Sequence, residues 1–231
     1  NIDPLKYLKE AMRDRESTFS IKQLTVEDVL KLIKGLKNSS ATGVDFIDTR
    51  TIKLGAEILA PAIQHISNLS ISTSTYPDLC NWYKVVPLLK VTDCGNLLPK
   101  SYRPVALLPV LSKILEKAVF NQLVQYLDKN GLVHPNLHGS RAGHITSTAL
   151  NQLYDTWVEE VEQGNMVGVL LCDQSAAFDL SDHHLLTEKL KIMGVEDRAA
   201  TWFWSYLSGR RQSCMVDGHL SAPLTIPPCG V

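Results

Sequence analysis

The sequence has no apolar stretch near the roughly 20 residues that a membrane-spanning helix needs, and it opens on no secretory signal pattern. No membrane partner is expected. Its five cysteines, Cys80, Cys94, Cys172, Cys214 and Cys229, include no close pair and no C-x-x-C spacing. An odd, scattered set argues against a disulfide framework and against zinc, and for a reducing, intracellular compartment, nucleus or cytoplasm. Net charge is also nearly absent, −1 over 231 residues, so the chain as a whole gives no sign of a nucleic-acid partner. Repeats and low-complexity tracts are missing too. The chain begins on Asn1 rather than Met and stops on Gly230-Val231 just after Pro227-Pro228, and both ends read as cut.

The residues that are present tell more when taken locally. Between Asn81 and Lys117 there are six bases (Lys84, Lys90, Lys100, Arg103, Lys113, Lys117) against two acids, Asp93 and Glu116. Between Tyr154 and Glu188 there are eight acids (Asp155, Glu159, Glu160, Glu162, Asp173, Asp179, Asp182, Glu188) and no Lys or Arg. A basic half and an acidic half suit a polyanion held near a cation site. Glu159 to Glu162 also read as a solvated helix face, which weakens the contrast. With 45% hydrophobic residues the chain can bury a core, in one domain or two small ones.

Periodicity divides the chain into alternating elements. Asn1 to Ser20 is mixed and charged, a solvated helix or tail. Thr25-x-x-Asp28 resembles a capping box and opens an amphipathic helix through Val26, Val29, Leu30 and Ile33. A turn-rich loop, Asn38 to Asp45, is followed by a helical region through Leu54, Ile58, Leu59, Ile63, Ile66 and Leu69, in which Pro61 predicts a kink or break near Ala60. Trp82 to Leu89 reads as a strand, Thr92 to Asn96 as a turn, and Tyr102 to Leu108 as the returning strand. Leu111 to Leu127 carries the clearest apolar stripe, with Gly131 as its stop. Helices are expected over Thr146 to Val161, from Ser181 or Asp182 to Gly194, and over Arg198 to Leu207, with a terminal hairpin around Asp217-Gly218. The class is α/β or α+β.

Met166 to Cys172 is a nearly continuous apolar run, the pattern of a strand buried on both faces. It ends on Asp173, with a second carboxylate at Asp179. A carboxylate on the last residue of a buried strand can present a metal ligand at a sheet edge; Asp is equally a favoured turn and cap residue. On the local pattern alone both readings stand.

Taken in order, several pieces coincide. Lys90 sits at the end of a strand, Ser101-Tyr102-Arg103-Pro104 follows, and Asp173-x4-Phe178-Asp179-x3-His183 comes about seventy residues on. Ser39 to Asp45 matches an Ala-x-Gly-x-Asp loop, and Leu108-Pro109 through Leu115-Glu116-Lys117 a Lys-Ile-Leu-Glu-Lys helix. Gly139-x-Arg141-x-Gly143 with Thr146 and Ala149-Leu150 fits a Gly-Phe-Arg-x-Gly-x-Ser-Thr segment, and Tyr206-Leu207 to Gln212 a Tyr-Leu-x-x-Arg-x-Gln segment. This ordered set resembles the reverse transcriptases of non-LTR (LINE-type) retrotransposons, from about residue 25 to the last residue.

The resemblance implies a right-hand polymerase: fingers plus part of a palm, with an incomplete antiparallel sheet packed with helices. Residues 1–78 would be an N-terminal helical extension leading into the fingers, and 79–231 the fingers and first part of the palm. It implies two-metal nucleotidyl transfer with Mg2+, an RNA template, a DNA primer and deoxynucleoside triphosphates. Asp173 is then a metal carboxylate and Gln174 adds its backbone carbonyl, hard oxygen donors that suit Mg2+. Phe178 is the aromatic gate under the sugar, with a plain core aromatic as the other reading. Lys90 and Arg103 grip the incoming triphosphate. For Asp179 and His183 a structural role, holding the following helix, is expected over catalysis. Gln174, Ala176, Ser140 and Ser181 depart from the family pattern, as suits a divergent or decaying element copy. Gly230-Val231 matches the start of a Gly-Val-Pro-Gln-Gly segment, so the Asp-Asp turn that supplies the remaining metal carboxylates, and the thumb, are expected to be missing. One carboxylate cannot hold two metals. The implied reading is a polymerase segment inactive by itself; a non-catalytic nucleic-acid-binding remnant and an unstable fragment are the alternatives.

Overall fold

A computed structural model of the chain describes residues 3–13, 17–90, 98, 101–174, 177, 179–227 and 229. It forms two compact units, Asn1–Tyr126 with Phe178–Val231, and Leu127–Ala177. In the first unit the charged opening stretch makes one short helix, α1 (Lys6–Met12), with no buried residue. The segment after α1 departs from the solvated tail that its composition suggests. Phe19 is buried and extended, its N–H donating to the Gly194 carbonyl at 2.8 Å while its own carbonyl accepts from Glu196 N–H at 3.0 Å. One aromatic among polar neighbours gives no periodic signal, yet it anchors the segment.

Helix α2 (Val26–Gly35) begins by the expected device. The Thr25 hydroxyl accepts from Asp28 N–H at 3.1 Å, and the Asp28 carboxylate accepts from Thr25 N–H at 3.0 Å. Two otherwise orphaned N–H groups are satisfied reciprocally. The Thr25 N–H first, and second the Thr25 hydroxyl, which donates to the same carboxylate at 2.9 Å, hold the Asp28 carboxyl below the ordinary range. Because its folded pKa is depressed, its contribution is fully present above the unfolded value and is lost as pH falls through the folded one. Thr25→Ala is expected to cost about 1 kcal/mol at neutral pH, and the stability gap between wild type and Asp28→Asn to close on acidification below the ordinary carboxylate range. Urea unfolding across pH 2 to 7 checks both.

Two helices come next, α3 (Thr49–Leu54), capped by the Asp48 carboxylate on Thr51 N–H at 2.7 Å, and α4 (Ala56–Thr73). The break falls at Gly55, and α4 runs through Pro61. This corrects the expected interruption near Ala60. Proline removes one N–H from the ladder, whereas Ala60 and Ile63 beside it are buried in a shared core with Val29 and Ile33 of α2. Burial of that face outweighs one missing bond.

A 3-10 turn (Asp78–Asn81) leads into the sheet: β1 (Trp82–Leu89), β2 (Tyr102–Leu107), β3 (Arg211–Val216), β4 (His219–Leu220) and β5 (Leu224–Thr225). Its order is β2-β1-β3-β4, with β5 also on β3. β1 pairs antiparallel with β2 but parallel with β3, so the sheet is mixed rather than wholly antiparallel. The final hairpin turns on Asp217 and Gly218, both at positive φ (49° and 80°), the geometry that Asp-Gly favours. The expected turn at Thr92 to Asn96 lies outside the described residues.

Helix α5 (Val110–Lys129) is the centre of this unit. Ile114 and Ala118 face the α2–α4 core, whereas Leu115 and Val119 face a second core. Residues one apart on a helix point about 100° apart, so one helix serves two cores. The second core gathers Phe19, Tyr76, Cys80 and, from α8 (Asp197–Leu207), Ala199, Ala200, Trp202 and Phe203. Burial pushes the Cys80 thiol up to about 12, which makes it an inert packing group. Helix α7 (His183–Ile192) is capped by Asp182, whose carboxylate accepts from Leu185 N–H at 2.9 Å, and it stops at Gly194 as expected. His183 is buried, in keeping with a structural role.

The second unit carries α6 (Thr146–Glu162) and no buried residue among those described. Its loop is tied to the helix through His138, whose ring nitrogens meet Thr148 Oγ1 at 3.0 Å and Gln152 Oε1 at 2.9 Å. Leu150, Leu153, Tyr154 and Val161 are exposed along α6. Residues 165–174 then run without helix or strand. The buried strand expected over Met166 to Cys172 is absent: Met166 is 100% exposed and Leu170 and Leu171 are each 87% exposed. An apolar, β-branched run is only half of a sheet. A strand needs ladder partners for its N–H and C=O groups, and no described residue pairs with this one. Among the described residues no helix is long and apolar enough to cross a membrane.

Candidate functional site

The β1–β2 hairpin brings the two expected triphosphate-gripping bases together. Leu88 stands opposite Arg103 in the register, and the ladder continues as Lys90 N–H donates to the Ser101 carbonyl at 2.9 Å. Lys90 is two residues beyond Leu88, so Lys90 and Arg103 share one face as diagonal neighbours, a spacing of about 7–8 Å in such pairs. Both are exposed. Lys84 has the same parity on β1, but its surroundings differ. It is only 6% exposed; its Nζ donates to Thr42 Oγ1 at 3.2 Å and lies 5.4 Å from the Phe46 ring centroid. Lys84 fastens the Ser39–Asp45 loop to the hairpin.

That loop approaches the chain after β2 so closely that only glycine fits. A Cβ on Gly43 would sit 2.6 Å from the Pro109 nitrogen. Phe46 comes next at φ 57° with its ring 69% exposed. Neither contact is readable in the sequence. Lys84 shows there only as one base of a basic region, and Phe46 carries no periodic signal.

The remaining expected site residues are in the other unit or on its border. Asp173 and Gln174 are exposed, in the segment without regular structure rather than at the end of a strand. Phe178 lies outside the described residues. Asp179 is exposed on a turn before α7, whose cap is Asp182. Among the described residues no three His, Cys, Asp or Glu side chains come together to hold a metal ion. Asp173 alone does not make a site for the Mg2+ that the resemblance implies.

A family model described as "Reverse transcriptase (RNA-dependent DNA polymerase)" matches residues 89–226. The chain belongs to the reverse transcriptase family. That match begins where β1 ends and takes in Lys90, Arg103, the His138 loop of the second unit and Asp173. It stops at Ile226, one residue after β5 ends. The chain is also 28% identical over 199 residues, 86% of its length, to "RNA-directed DNA polymerase from mobile element jockey" of Drosophila funebris. It is 25% identical over 90% of its length to "Probable RNA-directed DNA polymerase from transposon BS" and 27% identical over 80% to "Probable RNA-directed DNA polymerase from transposon X-element", both of Drosophila melanogaster. It spans about a fifth of those relatives, from 20% to 23% of their length. The mixed α/β fold, with eight helices and five strands among the described residues, is consistent with the fingers and palm of a reverse transcriptase.

Proposed function

We propose that this chain is the fingers and first part of the palm of a retrotransposon RNA-directed DNA polymerase, acting on an RNA template, a DNA primer and deoxynucleoside triphosphates. The observation that carries the reading is the reverse transcriptase match over residues 89–226. Residues 1–78 form the helical lead-in to the fingers and 79–231 the polymerase part proper. On this reading Lys90 and Arg103 bind the triphosphate from the exposed hairpin face, which two cations on neighbouring strands suit. Asp173 and the Gln174 carbonyl contribute oxygen donors to the catalytic metals, and Phe178 lies under the sugar. Lys84, Thr42 and Gly43 hold the fingers loop against the hairpin and do not touch substrate.

One carboxylate is too few for two cations. These 231 residues alone are therefore expected to extend no primer above a blank without protein, with Mg2+ supplied. RNA–DNA hybrid binding by the same preparation is expected to weaken steeply with salt and to be untouched by Asp173→Ala. Primer extension that depends on Mg2+ and disappears in Asp173→Ala would overturn the inactivity. Absence of any salt-dependent hybrid binding would count against the assignment of the basic hairpin to nucleic acid or triphosphate.

A further inference from the structure

Phe46 stands where a bulky side chain strains the backbone and adds little to the core. Its φ of 57° lies in the left-handed region that glycine adopts freely and an aromatic residue does not. The ring is 69% exposed, so burial does not offset that strain. It is held in place all the same. Lys84 Nζ lies over the ring, 5.4 Å from its centroid, and is itself fixed by Thr42 Oγ1 at 3.2 Å. The close approach of Gly43 to Pro109 pins the same loop. An aromatic that is strained, held and exposed points to a ligand outside the fold.

The surface beside the ring has the chemistry of one class of ligand. Side chains alternate across a strand, so Trp82, Lys84 and Leu88 share one face of β1. The register adds Arg103 of β2 and Arg211 of β3 to that face. At one end the Arg211 guanidinium carbon lies 5.7 Å from the Trp82 ring centroid. At the other stand Arg103 and Lys90, the latter roughly 20 Å beyond Lys84, six residues along an extended chain. None of the strands β1, β2 and β3 carries an Asp or Glu. Asp45, the acid next to Phe46, turns its carboxylate onto Ile47 N–H at 3.3 Å. Cations that take phosphates, with a π-face between them that takes a base, suit single-stranded nucleic acid. A duplex keeps its bases in the stack, so the ring selects an unpaired strand.

We propose that Phe46 is a stacking platform for a base of an unpaired RNA strand, laid across this face with its phosphates toward Arg211 on one side and Arg103 and Lys90 on the other. That the strand is the unpaired part of the template rests on the polymerase reading above, whereas the stacking is tested on RNA alone. Phe46 binds nucleic acid and does not touch the reacting atoms.

The test is the affinity of the 231-residue chain for an oligoadenylate of about 12 nucleotides, read by fluorescence anisotropy. Phe46→Gly deletes the ring and suits a positive φ, so the fold is kept; it is expected to weaken binding about tenfold. If that variant does not fold, Phe46→Asn, which also tolerates the left-handed region, takes its place. Phe46→Leu keeps apolar bulk without a π-face and is expected to lose as much, while Phe46→Trp binds at least as tightly as wild type. An abasic oligoribonucleotide of the same length is expected to bind wild type at least about tenfold more weakly, and wild type and Phe46→Gly within about twofold of each other. Blunt RNA–DNA hybrid, whose binding checks the polymerase reading, is expected to bind both proteins within about twofold. Oligoadenylate that does not bind wild type, or that binds wild type and Phe46→Gly within about twofold, or a Phe46→Gly loss that persists in full on the abasic strand, would overturn the stacking. A base-dependent loss without any hybrid binding would remove the template role and leave the stacking in place.

Discussion

Trp202→Ala is expected to destabilise the chain by about 3–4 kcal/mol, read as a fall in the urea midpoint without a change of slope. The side chain is 2% exposed and meets three aromatic rings. Tyr76 and Phe203 stand edge-on to it at 5.5 and 5.4 Å between centroids, and Tyr206 stacks parallel at 5.8 Å. Its indole N–H donates to Ser70 Oγ at 2.9 Å, and that hydroxyl in turn donates to the Thr75 carbonyl at 2.7 Å. Truncation removes the largest fully buried side chain among the described residues and one buried hydrogen bond together. The cost falls in the lower part of the range for tryptophan deletion, because Trp202 also walls an open hollow of about 510 Å3 between α5 and α8. Space emptied there joins solvent, which leaves less sealed void than a closed cavity would. Trp202→Phe keeps a ring in place and loses the N–H, and should cost about 1–2 kcal/mol. Equal losses in the two variants would mean that the ring contacts contribute little.

The elements legible in the sequence are those whose signals are local. The Thr25–Asp28 box needs four consecutive residues, the α5 stripe a few turns, and the terminal turn two residues, Asp217 and Gly218. The features that escape a sequence reading depend on partners far along the chain. Met166 to Cys172 has the residues of a buried strand, but burial belongs to a sheet and not to a run, and here the run is exposed. Pro61 outweighs Gly55 as a break signal because propensity is local, while the burial that carries α4 past it comes from α2 and α5. The candidate site divides the same way. Order and residue type point to Lys90 and Arg103, but that they share a face follows from the β1–β2 register. Lys84 looks like one more surface base, and only the loop folded over it accounts for its burial. Arg210 lies within the Tyr206 to Gln212 segment with no role of its own there, since nothing in so few residues reveals that a cation is enclosed by Tyr83 and Tyr206.

Gly194→Ala is expected to be as damaging as the loss of a core side chain, about 2–4 kcal/mol, although it adds a single methyl group. Gly194 ends α7 at φ +94°, outside the region that L side chains adopt readily. Strain alone would cost about 1–2 kcal/mol. Gly209, at φ +66° with nothing within 4 Å of its notional Cβ, shows that smaller effect and serves as the control. At Gly194 the added carbon would meet the Ser17 carbonyl oxygen and the Tyr126 hydroxyl, both under 2.5 Å away. Neither can move freely. The Tyr126 hydroxyl shares its one proton between the Ser17 carbonyl oxygen at 2.9 Å and that of Met193 at 2.8 Å, and Phe19 N–H donates to the Gly194 carbonyl at 2.8 Å. A methyl group there must push the extended Ser17–Phe19 segment off α7, exposing Phe19 and unpairing backbone groups of Phe19 and Glu196. Hydrogen exchange should accordingly show the Phe19 and Glu196 amides losing protection in Gly194→Ala while Val29 and Ile33 in α2 keep theirs. Uniform loss across both cores, or a cost no greater than that of Gly209→Ala, would mean that the close approach at Gly194 does not hold this segment in place.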